Sequence, residues 1–353
     1  MNMQGLTQRA GEWLRGCGPL SEIVLSSRIR LARNLAGFPF VNRCTPRQRL
    51  DVLERGRAEI LAGRLAGDII WVDLNEADDL DRQLLVERHL ISRQHALGGS
   101  DKPRAVAIGA DETFAIMLNE EDHLRIQVLR SGLQLLEAWN QINHIDDTLE
   151  EKLDYAYSSR WGYLTACPTN VGTGIRVSVM MHLPALKLTG EIEKVRRAAR
   201  DTHLAVRGFF GEGSDALGDL YQISNQTTLG KSEEELLHSF LQNIVPQIIA
   251  YEQQARAALV RHRPALLDDK VWRAWATLTH ARVIGTEEVM ALLSHLRLGV
   301  NLGRIDCVDI RALNELFLLS QSAHLQRVTG CELDQPARRE ARARLIRQRL
   351  GAK

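Results

Sequence analysis

The sequence predicts an α+β protein of 353 residues in two parts, strands and helices mixed in the first and helices alone in the second. Three observations predict it. Period-2 alternation recurs in short segments such as HLRIQVL and IRVSVMMHL, all before residue 226. Helix start signals interrupt these segments. Beyond Arg261-His262-Arg263-Pro264, helical periodicity runs almost throughout 268–353 with no convincing strand. The boundary is placed near 255–265, giving an N-terminal extension over 1–21, a mixed domain over 22–257 and a helical domain over 258–353.

In order, residues 22–40 open with a β-type run and pass into an Arg-rich segment. A helix follows, with Thr45 as its cap, Pro46 at its first position and Gln48 completing a capping box. Residues 68–74 predict a strand and 78–95 a helix. AVAIGADETFAIML, the polar turn Asn119–Asp122 and HLRIQVL predict strands joined as a hairpin; Leu124, Ile126 and Val128 face one way, Arg125 and Gln127 the other. Gly132–Asn140 is helical, and Thr148-x-x-Glu151 predicts a second capped helix through Tyr157. The Gly-rich turn Cys167–Gly174 opens a strand that alternates Val177, Val179, Met181 and Leu183 with Arg176, Ser178, Met180 and His182. A charged helix (191–201), the strand LAVRGFF, a loop at 211–214 and the strand DLYQIS complete the mixed part. Ser232 with Glu235 then caps a long amphipathic helix that Pro246 should kink.

Charge and cysteine content exclude several functions. Lys+Arg number 45 against 44 Asp+Glu, a balance that argues against a dedicated nucleic-acid binder. Only seven of the 45 are Lys, which leaves 38 Arg, the side chain suited to bidentate phosphate binding. The five cysteines (17, 44, 167, 307, 331) have no CxxC pair or Cys/His cluster, so no structural metal is expected, and reduced thiols in the cytoplasm are the expectation. The N-terminus has no apolar h-region and no run reaches 18 apolar residues, so neither export nor a membrane span is expected.

Five segments have residues suited to chemistry. NQTTLGKS (225–232) ends like a phosphate-binding Walker loop, but Asn225 stands where that loop needs Gly, and a helix cap at Ser232 explains the same residues. In SSRIR, Arg28 and Arg30 at i and i+2 on extended backbone share a face, either gripping one polyanion or simply solvated. NEEDHLR (119–125) is either a polar turn or acids and a cation that handle a charged ligand. CPTNVGTGIR (167–176) offers Gly172 and Gly174 for close backbone approach, Arg176 on the strand and Cys167 in a polar turn, with an ordinary Gly-rich turn or a Cys nucleophile as the other readings. RGFFGEGSD (207–215) puts Arg207 at a strand end before a loop with Glu212.

In this order and spacing, SSRIRLAR, NEEDHLR, CPTNVGTGIR and RGFFGEG followed by YQISN resemble the signatures of the phosphagen (guanidino) kinase family, over about residues 22–250. Within the family the chain resembles the bacterial protein-arginine kinase (McsB-type) branch. Only 25 residues precede Ser26, where kinases of free creatine or arginine have a helical domain, and helices are added at the C-terminal end instead. The resemblance implies a phosphagen-kinase-like catalytic domain, an antiparallel sheet flanked by helices, over 22–257, and a helical dimerisation and regulatory domain over 258–353.

The activity it implies is transfer of the γ-phosphoryl of Mg-ATP to arginine side chains in proteins. ATP and Mg²⁺ are the implied cofactors, the metal having no dedicated protein cage. Glu121 is then the general base, Glu212 the second guanidinium clamp, and Cys167 a thiolate that helps place the substrate. Implied nucleotide contacts fall on Ser26, Ser27, Arg28, Ile29, Arg30, His89, Arg125, Arg176, Val177, Ser178, Val179, Met180, Arg207, Gly208, Phe209, Phe210 and Gly211. A surface histidine is the other reading of His89, and a core methionine that of Met180. Arg338, Arg339 and Arg342 match the related RDxxRA pocket for activating phosphoarginine, with Arg339 in place of its Asp; a basic solvated helix is the other reading. Implied partners are a second copy of the chain, a zinc-finger activator, a heat-shock repressor and a Clp-type unfoldase. A small-molecule guanidino kinase, a Cys-dependent guanidino hydrolase and a nucleotide-binding pseudokinase are the alternatives.

Overall fold

The computed structural model describes residues 11–63, 65, 67–99, 102–209 and 216–351. Phe210, Gly211 and Glu212 therefore lie outside the described residues. The strands are β1 (Val24–Arg33), β2 (Ile69–Asp73), β3 (Ala105–Gly109), β4 (Phe114–Leu118), β5 (Leu124–Ser131), β6 (Tyr157–Ser158), β7 (Gly162–Tyr163), β8 (Ile175–His182), β9 (Leu204–Arg207) and β10 (Leu220–Asn225). Eight form one sheet in the order β2-β3-β4-β5-β1-β8-β10-β9, with every pair antiparallel; β6 and β7 form a separate hairpin.

The helices of the mixed part are α1 (Pro46–Ala62), α2 (Asp79–Glu87), α3 (Arg93–Ala96), α4 (Leu135–Glu150), α5 (Pro184–Leu188), α6 (Ile192–Asp201), α7 (Glu233–Ser239) and α8 (Val245–His262). α9 (Pro264–His280), α10 (Thr286–Asn301), α11 (Ile310–Leu319), α12 (Ser322–Thr329) and α13 (Gln335–Arg349) follow without an intervening strand. This is the α+β arrangement the sequence predicts, an antiparallel sheet flanked by helices and then helices alone. Residue 257 lies within α8, and the helix ends only at Arg263, before Pro264.

Strand alternation sorts the sheet into two faces. Ile29, Leu31, Ile126, Val128, Val177 and Val179 are buried in the main core, with Val52, Ile60, Ile142 and Ile249 from α1, α4 and α8. On the opposite face, Leu25, Leu129, Met180, Phe209 and Leu220 join Leu293, Leu316 and Phe317 of the C-terminal helices in a second core. Trp13 and Leu14 also belong to this core, so part of the N-terminal extension is an interior element. Further along, Leu85 and Val86 of α2 pack on Val106, Ile108, Ala115 and Met117. Helices thus cover both ends of this face, and a cavity lies between them.

Both capping boxes form, at Thr45 with Gln48 and at Ser232 with Glu235. Pro246 follows a π-helical turn at Phe240–Ile244, which accommodates the missing N–H. Three expectations are corrected. α4 runs unbroken to Glu150, and Thr148 is inside it, with its hydroxyl donating to His144 O at 2.7 Å instead of capping a new helix. The helix expected over 78–95 stops at Glu87, because His89 takes a left-handed backbone (φ 59°). The strand expected over LAVRGFF ends at Arg207, with Phe209 turned into the second core.

Candidate active site

The cavity, of about 950 Å³, is lined by Arg28, Arg30, Arg125, Arg176 and Arg207, by Glu120, Glu121 and Asp122, and by His89, Cys167 and Gln222. The arginines come from four strands. Register places Arg30 between Gln127 and Arg176, Arg125 beside Ala32, and Arg207 beside Gln222. Like charges set opposite each other on a sheet are unfavourable. Burial, and then Arg125, Arg176 and Arg207, pull the Arg28 guanidinium down to a pKa of about 9. Arg30 is also lowered well below its ordinary value, by burial and then by Arg125, Arg28 and Arg176, and its Nε is buried without a hydrogen-bond partner. A polyanion at this wall would relieve both groups.

Arg125 differs from them. Burial opposes its charge, but its acidic neighbours, led by Glu120 at 2.6 Å from Nη1 and then Glu121 and Asp122, together outweigh burial and raise the pKa. Glu120 is buried too, yet Arg125 and the Ser92 hydroxyl hold its carboxyl at about 2. It accepts from Ser92 Oγ at 2.5 Å and from the Glu121 backbone N–H at 2.9 Å. Sequence reasoning missed this role for Glu120, since Ser92, at the cap of α3, lies 28 residues away in the chain.

Glu121 is half-buried and its pKa is raised, first by burial and then by Asp122 and Glu120. The Cys167 side chain hydrogen-bonds to it. Cys167 also contacts Thr169 Oγ1 at 3.0 Å. Asp122, also at the cavity, fastens the two segments together, accepting from Asn34 Nδ2 at 2.6 Å and from the Ala166 N–H at 2.7 Å. These bonds span 88 and 44 residues of chain, so spacing alone gave no sign of them.

His89 is no surface histidine. Its ring packs edge-on to Trp13 (centroids 4.7 Å) and Phe209 (5.1 Å), and burial, then Arg28 and Arg93, lowers its pKa to about 3. Gln127 Nε2 donates to His89 O at 2.8 Å, holding the left-handed residue at the cavity wall.

Other expected nucleotide contacts lie elsewhere. The side chains of Ile29, Val177 and Val179 are in the main core on the opposite face. Ser27 Oγ is held by Gly132 O and the Gln134 N–H. Ser26 is buried, paired in register with Met180, and Ser178 Oγ donates to Arg28 O. Met180 and Phe209 belong to the second core, and Gly208, which precedes Phe209, is buried. Gln222 borders the cavity with its Nε2 unpartnered, a feature not singled out from the sequence.

Gly174 lines the cavity, and both Gly172 and Gly174 are also required by the turn itself. A Cβ at Gly172 (φ +112°) would lie 2.3 Å from Thr228 O, and one at Gly174 2.7 Å from Ala32 O, so packing of the turn demands glycine. In NQTTLGKS, Asn225 Oδ1 accepts from the Val177 N–H, Thr228 Oγ1 donates to Thr169 O and Val171 O, and Ser232 caps α7. The segment straps the turn to β8. Arg342 is neither solvated nor open: it is buried and donates through Nε to Ser320 O at 2.7 Å. Arg338 donates to Leu333 O, and Arg339 is exposed.

A sheet-borne wall of guanidiniums facing a carboxylate and a thiol is the equipment of a guanidino phosphotransferase, and the chain matches the ATP:guanido phosphotransferase C-terminal catalytic domain over residues 61–255. Residues 264–353 match the protein-arginine kinase McsB C-terminal domain. The chain is 46% identical to the protein-arginine kinase of Halothermothrix orenii over 98% of both chains, and 49% identical to that of Symbiobacterium thermophilum over 100% of both. A crystal structure of lombricine kinase shares the fold with a TM-score of 0.58 and 28% identity, covering 70% of this chain and 72% of that one. The chain thus belongs to the protein-arginine kinase family.

Proposed function

We propose that the protein transfers the γ-phosphoryl group of Mg-ATP to the guanidino group of arginine side chains in proteins. One observation supports this reading above the rest: Arg28 and Arg30 crowd a wall that calls for a polyanion, facing a carboxylate whose affinity for protons is raised. The relatives named for the same activity match the chain end to end.

A guanidinium, with a pKa above about 12, is a poor nucleophile until a nitrogen gives up its proton. In this reading Glu121 pairs with the substrate guanidinium and accepts that proton as the P–N bond forms and the γ-phosphorus–oxygen bond to ADP breaks. Raised proton affinity suits the task. Cys167, bonded to Glu121, helps orient the guanidinium, and Glu212 is the second clamp. Arg28, Arg30, Arg125, Arg176 and Arg207 bind the phosphates and stabilise charge in the transition state. Mg²⁺ bound with the nucleotide would neutralise phosphate oxygens. The orphaned Arg30 Nε and the nearby carboxylates suit such a complex.

Residues 22–257 would form the catalytic domain and 258–353 a regulatory, dimerising one. The marking of substrates for a Clp-type unfoldase, the zinc-finger and repressor partners and a cytoplasmic site belong to the same proposal. No helix among the described residues is long and apolar enough to cross a membrane. The test is incubation with Mg-ATP and an arginine-rich protein such as casein, followed by mass spectrometry at neutral pH. Phosphoarginine on the protein is expected. Much faster phosphorylation of free L-arginine would replace the reading with a small-molecule kinase.

A further inference from the structure

The cavity wall that contains His89, Ser92 and Arg93 follows directly after α2, and both ends of α2 are fastened to the C-terminal helices. At its start, Arg327 of α12 pairs with Asp78 and Asp81. At its end, Glu87 reaches the first turn of α12. Its carboxylate accepts the Ala323 N–H at 2.8 Å, the His324 N–H at 3.0 Å and His324 Nδ1 at 2.7 Å. Since Nδ1 donates, Nε2 is the acceptor, and Arg88 Nη1 donates to it at 3.2 Å. Arg88 is fixed in turn by Glu112, at 2.9 and 2.5 Å. Glu87, Arg88 and His324 are each no more than 1% exposed. The next residue is His89, at the wall.

We propose that Glu87 and His324 are positioning residues for phosphoryl transfer, through which the C-terminal helices set the nucleotide-side wall of the catalytic cavity. Their bonds fix the residue immediately before the left-handed turn at His89. From there Gln127 binds His89 O and Leu90 O, and Ser92 binds Glu120. Glu121 meets this set through its backbone N–H on Glu120, while its neighbour Asp122 is anchored independently to Asn34 and the Ala166 N–H. With that second anchor at Asp122, loosening the joint disturbs nucleotide binding more than it moves the proton acceptor.

The molecule contains its own control. Glu252 on α8 is equally buried, accepts the Ala185 and Leu186 N–H groups at the start of α5 and pairs with Arg256, but its neighbours in the chain, unlike those of Glu87, are not among the residues that line the cavity. The inference rests on the cavity being the ATP site, and the experiment separates the two. Wild type, His324→Ala, His324→Asn, Glu87→Gln and Glu252→Gln are compared for the Kd of ATP by calorimetry, for KM and kcat of protein-arginine phosphorylation, and for Tm. His324→Ala and Glu87→Gln should raise Kd and KM for ATP about tenfold with kcat nearly unchanged. His324→Asn keeps a donor toward Glu87 and should recover most of the loss. Glu252→Gln should lower Tm alone. A His324→Ala protein that loses Tm but binds ATP like wild type, or that loses only kcat, overturns the inference. A wild type that neither binds ATP nor uses it overturns the nucleotide reading and this inference with it.

Discussion

The two walls of the cavity are built by opposite means. The arginine wall is placed by the sheet: backbone register on four strands sets Arg30 beside Arg176 and Arg207 beside Gln222, while Arg28 and Arg30 stay short of counter-charge. The acidic wall is placed by side-chain bonds between distant segments, with Glu120, Asp122, Asn34 and Ser92 satisfying one another around Glu121. One wall stores electrostatic strain that a phosphate chain would release; in the other, bonds satisfy Glu120 and Asp122 and leave Glu121 with a raised affinity for a proton. Placement by register is rigid and survives side-chain loss, whereas placement by bonds depends on every member.

The largest effect should come from the acceptor wall. Glu121→Gln removes the proton acceptor and keeps the shape, so kcat for phosphoarginine formation should fall by about 10²–10⁴ with KM for ATP little altered. On the donor wall, Arg30→Met should lower kcat by about 10²–10³, yet raise Tm, because it removes a crowded cation opposite Arg176. A fall in Tm would show that Arg30 is compensated in the free protein.

The pH profile sharpens the contrast. Glu121 works ionised and its pKa is raised, so the rate should drop about tenfold per pH unit below a midpoint higher than that of an ordinary glutamate. Glu120, held at about 2, stays charged across that limb and does not contribute to it. Its depressed pKa also adds stability above the unfolded carboxylate value, lost as pH falls toward 2; acid unfolding followed by circular dichroism should shift accordingly in Glu120→Gln.

Smaller changes follow. Asn34→Ala frees Asp122 and should cost about tenfold in kcat/KM for the protein substrate while ATP affinity holds. Ser232→Ala removes a cap remote from both walls and should cost about 1 kcal/mol in stability, with kinetics unchanged.

This difference in construction also decided what the sequence revealed. Arg28, Arg30, Arg125, Arg176 and Arg207 were legible because strand alternation and motif order are local properties. The capping boxes at Thr45 and Ser232 were legible for the same reason. The bond from Asn34 to Asp122, the hold of Gln127 on His89 and the burial of Arg342 under Ser320 O join residues far apart in the chain, and no window of sequence contains both ends. Thr148 misled because a hydroxyl three residues before Glu looks the same whether it starts a helix or bonds back within one. Gly172 and Gly174 read as room for a ligand; Gly174 does line the cavity, but the close approach of Thr228 O and Ala32 O, distant in the chain, also demands both glycines.

The second core has a practical consequence for anyone who cuts the chain at its apparent seam. Leu25, Leu129, Met180, Phe209 and Leu220 belong to the sheet, but their cover comes from Leu293, Leu316 and Phe317. A fragment ending at residue 257 would present that greasy flank to water, and it should clump instead of working as a miniature enzyme. The two halves differ in architecture but fold as one economy of surface.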